Sequence, residues 1–521
     1  MKKILLMTVL GALCFSIKAQ TYHNPVIPGY HPDPSVCRVG NDFYLVNSSF
    51  QYFPGVPIFH SKDMIHWQQI GNVLDRKSQL PLMGASSWTG IYAPTIRYNN
   101  GTYYMITTNI GHGGNFFVTA TNPKGPWSEP VWLKQKGIDP SFYFENGKCY
   151  MVSNPDDAIW LCEIDSKTGK QLTESRQIWQ GTGGRYPEGP HIYYKDGYYY
   201  LLISEGGTEY GHMLTIARSK NIYGPYDGNP NNPILCHQRR ISENNQIQGT
   251  GHGDLVQAQD GSWWIAFLGF RTYGGNYHHL GRETFVSPVD WTEGGWPIVN
   301  KNGTIDTLIE VHILTPVNMP LSPKRIDFDN VNSLKEIGPE WIYIQNPDES
   351  KYEIKNGKLR LYASASSLTE NIQPTFIGRR QESAMFSIGT SLSLSKSISN
   401  DEAGLTVYQT NDGHYDISVS NVYGRQVVKY RLQVKGLVYE DYVSNAEISK
   451  AKNIYLRVRG DEKYYHMEYS TDGKLYHEIK TADTCLLSSE VVGGFTGVVL
   501  GLYCTGKNQS GYADFEYFDY K

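Results

Sequence analysis

A strand–turn–strand pattern recurs five times between residues 30 and 270, and this repetition constrains the fold more than any other feature of the chain. The copies read Pro34-Ser-Val…Phe43-Tyr44, Pro94-Thr-Ile…Tyr103-Tyr104, Pro140-Ser-Phe…Cys149-Tyr150, Pro190-His-Ile…Tyr199-Tyr200 and Asp254-Leu-Val…Trp263-Trp264. Seven residues after each anchor stands Asn41, Gly101, Gly147, Gly197 or Gly261, a residue suited to a tight turn between antiparallel strands. One hairpin cannot bury its apolar face alone, so such units must stack on neighbours. The pattern predicts an all-β chain that opens with a five-bladed β-propeller over 22–322.

In a propeller the strand nearest the axis begins or ends beside the centre, so residues just ahead of the anchors meet although they are far apart in sequence. One position before the anchors stand Asp33, Ala93, Asp139, Gly189 and Gly253; two positions before stand Pro32, Tyr92, Ile138, Glu188 and His252. Three carboxylates and an imidazole are thereby expected in one pocket. Each aspartate has a plainer reading, because proline pushes the preceding residue to extended backbone and Asp bonds nearby main chain. As a set they argue against it: clustered buried carboxylates raise one another's pKa, a cost that a purely structural centre avoids. Glycoside hydrolysis needs such a set, with one carboxylic acid protonating the leaving oxygen while a carboxylate activates water or attacks the anomeric carbon. A third acid can keep the donor protonated and oriented.

At 521 residues the chain exceeds what one core usually organises. Leu314 to Pro323 carries three prolines and reads as an extended linker. Beyond it, Ile454, Leu456 and Val458 alternate with Tyr455, Arg457 and Arg459, and similar runs at 358–362, 405–408, 415–419 and 427–432 predict an antiparallel β-sandwich over 326–521. Met1-Lys2-Lys3 followed by an apolar run to Phe15 reads as a signal peptide over 1–19, which implies export to the periplasm or medium; anchoring through Cys14 is the minority reading, since Leu13 stands where a small residue is expected. No later run is long enough to span a membrane.

The formal charge of −4 comes with no dense basic patch, which argues against nucleic acid as a partner. Gly249-Thr-Gly-His-Gly253 has no helical pattern after it and is not read as a phosphate loop. No cysteine spacing suits zinc, and buried thiols are the default; Cys149 and Cys162, symmetric about a turn at Pro155-Asp156, are the one pair that could bridge a hairpin.

At its axial residues the chain resembles glycoside hydrolase family 43, specifically its β-xylosidases with a C-terminal sandwich. The stretches that carry this are Asn24-Pro-Val…His31-Pro-Asp-Pro-Ser35, Ser49 to Ser61, Gly90-Ile-Tyr-Ala-Pro94, Gly137-Ile-Asp-Pro-Ser141, Glu188-Gly-Pro-His191, Gly251-His252 and Leu280-Gly-Arg-Glu283. The resemblance implies a five-bladed β-propeller followed by a concanavalin A-like antiparallel β-sandwich. It implies Asp33 as general base, Glu188 as general acid and Asp139 as the residue that tunes and orients the acid. Inversion follows in that family, so the Asp33 and Glu188 carboxyls should stand ~6.5–9.5 Å apart. Arg282, Phe50, Tyr92 and His252 match substrate-binding positions; Arg282 could instead bridge blade carboxylates. Tyr92 replaces the tryptophan usual in relatives, and Thr95 also departs from the pattern.

No cofactor is required for such chemistry. A structural calcium near the axis, beside His252 and held mostly through water, is the metal expectation, although a lone imidazole suits that ion poorly. The sandwich should narrow the pocket mouth, with Val499 in the Gly497–Gly501 loop where relatives present phenylalanine. The implied activity is exo-acting release of xylose from xylo-oligosaccharides of the plant cell wall. An α-L-arabinofuranosidase, a retaining fructan-cleaving hydrolase of like architecture and a non-catalytic carbohydrate-binding protein are the alternatives, and a homo-oligomer is compatible with the sequence.

Overall fold

The computed structural model describes residues 20–238, 245–311, 317, 319–320, 323–370, 372–395, 401–507 and 511–521. The expected signal peptide at 1–19 and much of the expected linker lie outside these residues. From Ser35 to Val299 the chain forms five consecutive antiparallel sheets, each made of strands close together in sequence. Leaving aside the two-residue Gly90–Ile91 ahead of the second, their opening strands are Ser35–Val39, Thr95–Asn99, Ile138–Glu145, Glu188–Lys195 and Ile247–Gln257. In the second, third and fourth sheets the next strand follows after two residues: Asn99 pairs with Thr102, Glu145 with Lys148 and Lys195 with Tyr198. The intervening Asn100-Gly101, Asn146-Gly147 and Asp196-Gly197 all have positive φ, which a two-residue hairpin turn of this hand requires.

The opening strands pack side by side in chain order, and the fifth returns to the first, so the sheets form a closed ring. Gln20–His23 pairs with Leu308–Val311, tying the two ends of the region together. Closure centres on Asp254, the one anchor that is not proline. Its carboxylate, fully buried, accepts from Ser35 Oγ at 2.6 Å and Val36 N at 3.0 Å in the first sheet, and from Tyr193 Oη at 2.6 Å in the fourth. Arg97 of the second sheet meets it with two bonds of 2.7 and 3.1 Å, and a further guanidinium N–H lies 2.9 Å from His191 Nδ1. Four of the five opening strands are thus clasped by one side chain.

The second half contains a nine-stranded and a six-stranded antiparallel sheet. Leu359, Ile388 and Leu456 from one and Leu405, Ile417, Val428 and Leu502 from the other share one buried core, as two sheets packed face to face do. The Cys149–Cys162 bridge is not formed: both are free, buried thiols. Cys149 stands opposite Ile164 and Cys162 opposite Met151, so the pair is offset by two residues across the strands.

Burial alone would raise the Asp254 carboxyl, but Arg97, His191 and Ser35 outweigh it and hold it far below the ordinary range. A depressed folded pKa means this stabilisation is complete above the unfolded value of ~3.9 and lost as pH falls through the folded one. Asp254→Ala leaves the largely enclosed Arg97 without its counter-charge and should destabilise the protein by about 3 kcal/mol at neutral pH. The check is the midpoint of thermal or urea unfolding; an unchanged midpoint would mean that the ring closes without this clasp.

Candidate active site

Asp33, Phe50, Tyr92, Asp139, Glu188, His252 and Arg282 line a single pocket, together with Ala93, Ile138, Thr208 and Phe495. Local backbone explains how the acids reach it. Asp33 and Asp139 have φ of 53° and 51°, so the expectation of extended backbone before proline does not hold at either. Left-handed backbone is a strained state that Asp tolerates better than most residues. The strand register shifts between Ile138 and Ser141, between Glu188 and His191, and twice between Gln248 and Asp254. Such bulges re-aim side chains. In the fourth sheet the left-handed residue is Gly189, with φ of 59°, and the acid is the residue before it. A Cβ at Gly189 would meet the His252 ring at 3.0 Å, so glycine allows the imidazole to lie against the backbone there.

The three carboxyls sit in different electrostatic settings. Asp33 accepts from Ser48 Oγ and, at 2.9 Å, from Arg282 Nη1. Burial would raise its pKa, but Arg282, His252 and Ser48 outweigh that and lower it, so Asp33 is ionised at neutral pH. Asp139 accepts from Gly189 N at 3.1 Å; burial and the charges of Glu188 and Asp33 push it well above the usual range. Burial and the Asp33 charge raise Glu188 to about 7. Glu188 is also the least enclosed of the three, at 19% side-chain exposure against 7% for both aspartates. The pocket therefore pairs one carboxylate kept charged with two carboxyls that hold on to a proton. Such a division supplies a base and an acid from one residue type.

Arg282 also donates to Thr208 Oγ1 at 2.9 Å and to the Phe495 carbonyl at 3.3 Å, so among the described residues it is bonded to one carboxylate, Asp33, and does not link two. Phe50, Tyr92 and Phe495 form an aromatic wall with ring centroids 5.2–6.0 Å apart. The sandwich residue at the mouth is Phe495, not Val499, which is buried within a strand of the six-stranded sheet. His212 was also missed by sequence reasoning. Its Nε2 lies 3.7 Å from Glu188 Oε1, and burial lowers it to about 3, so the imidazole is neutral. Neither residue occupies an anchor-relative position, and only the glycines around Phe495 hinted at a close approach.

His252 Nδ1 stands 4.0 Å from both Asp33 and Asp139. Among the described residues no group of three or more His, Cys, Asp or Glu side chains is placed to hold a metal ion. One nitrogen beside two carboxylates that are bonded elsewhere fits calcium poorly, since that ion takes six to eight oxygens.

A buried trio of acids with divided protonation, beside an arginine and an aromatic wall, defines a glycoside-cleaving centre. The family model for glycosyl hydrolases family 43 matches residues 22–297, and that for the β-xylosidase C-terminal concanavalin A-like domain matches 325–521. The chain is a glycoside hydrolase and belongs to family 43. It is 42% identical over 516 residues to a non-reducing end α-L-arabinofuranosidase of Bacteroides ovatus, covering 97% of this chain and 96% of that one. It is 31% identical over 542 residues to a β-xylosidase of Bacillus subtilis, covering 96% and 99%. Among solved structures, a xylan β-1,4-xylosidase from Bacillus halodurans superposes with a TM-score of 0.87 at 33% identity, covering 96% of this chain and all of the other.

Phe495 reaches the pocket because two backbones nearly touch. A Cβ on Gly497 would lie 2.2 Å from the Leu280 carbonyl oxygen, and one on Gly281 2.7 Å from the Gly497 Cα. Val498 N donates to His279 O at 2.9 Å and Phe495 N to Ser87 O at 2.9 Å, stitching the segment down. Gly497→Ala should push this segment off the pocket and lower kcat/KM on small glycosides by roughly tenfold, about 1.4 kcal/mol. Steady-state kinetics on purified variant with an intact circular dichroism spectrum would check this; wild-type kinetics would show that the contact does not matter.

Proposed function

We propose that the ring of five sheets is a five-bladed propeller and that its pocket removes single terminal pentoses from oligosaccharides with inversion at the anomeric carbon. The observation that carries this reading is the opposite displacement of Asp33 and Glu188 from ordinary carboxyl behaviour within one pocket. In this reading Asp33, held ionised by Arg282, draws a proton from water as it attacks the anomeric carbon. Glu188 gives its proton to the departing glycosidic oxygen. Asp139, which accepts from the Gly189 N–H next to Glu188, positions the acid. Phe50, Tyr92 and Phe495 pack against the sugar's C–H face, and Arg282 orients the ring. Exo action is supported by Phe495, which brings the second half of the chain into the wall of the pocket beside Phe50 and Tyr92.

Release of β-linked xylose is the first reading. Release of α-L-arabinofuranose is favoured by the similarity to the Bacteroides ovatus enzyme. Rates on 4-nitrophenyl β-D-xylopyranoside and α-L-arabinofuranoside, measured side by side, decide between them. Proton NMR should show the inverted anomer first; retention would reject Asp33 as base and favour direct attack. Function in the cell is assigned to the exported compartment, and no helix among the described residues is long and apolar enough to cross a membrane.

The rate should be bell-shaped in pH. The alkaline limb falls near pH 7 as Glu188 loses its proton, and the acid limb lies below the usual carboxylate range as Asp33 becomes neutral. Glu188→Ala should cost roughly 10²–10⁴-fold on unactivated xylobiose or arabino-oligosaccharides, remove the alkaline limb, and cost far less on aryl glycosides whose leaving group needs no proton. Equal losses on both substrate types would give Glu188 another role.

A further inference from the structure

Away from the pocket, a second cavity of ≈ 300 Å³ opens between the ring and the sandwich. Ile27, Phe59 and Trp67 on one side and Tyr520 on the other supply apolar wall. The same cavity is lined by three cations, Lys324, Arg379 and Arg380, and two acids, Glu340 and Glu382. Arg379 is accounted for: it donates to the Pro323 carbonyl at 2.7 Å and lies 3.5 Å from Glu340. Glu382 sits within the fields of Arg379, Lys324 and Arg380.

Arg380 has no such bonded partner, although Glu382 acts on it through space. Its side chain is buried, at 4% exposure, and among the described residues no carboxylate comes within salt-bridge distance of it. Neither Nε nor Nη2 finds a hydrogen-bond acceptor, and the guanidinium carbon lies 5.4 Å from the centre of the Tyr30 ring. His31, also in the wall, is pushed down by burial and by Arg380 and adds no charge. Three cations against two acids give the lining a formal excess of one positive charge; Lys324 is exposed, and the buried Arg380 is the cation with no carboxylate bonded to it. Water could occupy the space but would not neutralise a charge whose burial is costly without a counter-ion.

We propose that this cavity binds an organic carboxylate, its charge against Arg380 and its apolar body against Phe59, Trp67 and Tyr520. A guanidinium is the side chain best matched to a carboxylate, and the volume lies at the lower end of the roughly 300–1,000 Å³ typical of small-molecule sites. The occupant would bridge the two halves of the chain and stabilise their contact without entering the hydrolytic pocket. The inference does not depend on which sugar the enzyme releases.

Benzoate serves as the probe, with neutral benzamide and inorganic phosphate as controls at matched ionic strength. For the full chain, benzoate should raise the thermal midpoint saturably by several degrees, and calorimetry should give one site per chain. The shift should vanish in Arg380→Met. Gln68→Glu, which adds a negative charge to the cavity's partly exposed wall, should weaken benzoate at least tenfold and keeps the test open should Arg380→Met not fold. An equal shift with benzamide, a larger one with phosphate, no shift with benzoate, or a shift that survives Arg380→Met would overturn the proposal.

Discussion

The bidentate contact between Arg97 and Asp254 holds the architecture on which everything else rests. A ring of hairpins has no single core: its sheets are local in sequence, and their long-range order comes from how the opening strands meet. Asp254 takes donors from the first, second and fourth sheets and itself belongs to the fifth. A buried carboxylate is tolerable only because each lone pair is used. The acids of the pocket stand on the same opening strands or immediately before them, so their spacing is inherited from this closure rather than from any loop.

Within the pocket, three chemically similar carboxyls are made different by their neighbours. Burial acts on all of them in the same direction, toward neutrality. What separates them is the single guanidinium of Arg282, aimed at Asp33 rather than at Asp139 or Glu188. Asp33 can therefore stay charged in an enclosed site, and its charge in turn raises the other two. One cation thus sets the division of labour that the proposed mechanism needs, directly at one acid and indirectly at two.

The sandwich takes part in this arrangement rather than sitting apart from it. Tyr343–Ile344 pairs with Tyr52–Phe53 across the two halves, and Gln345 N donates to Gln51 O at 2.8 Å. Backbone contact at Gly281 and Gly497 brings Phe495 over the acids, and the Phe495 carbonyl accepts from Arg282. The residue that orders the carboxylates is therefore itself held from both halves of the chain. The cavity at Arg380 lies along the same seam, where packing two independently built units leaves both space and guanidinium N–H groups without acceptors.

Much of this was legible in the chain alone, because hairpin periodicity is local: the repeating anchors, the Asn-Gly and Asp-Gly turns and the alternation beyond residue 350 report short-range backbone physics. Asp33, Asp139, Glu188, His252 and Tyr92 could be gathered by counting back from the anchors, since one strand geometry is reused. The left-handed backbone at Asp33 and Asp139 was not legible, because the usual effect of proline points the other way and only the bulged pairing overrides it. Phe495, His212, the offset of Cys149 from Cys162 and the burial of Arg380 were decided by tertiary structure. Each depends on which surfaces meet across hundreds of residues, and neither period nor spacing encodes a contact between elements that share no register.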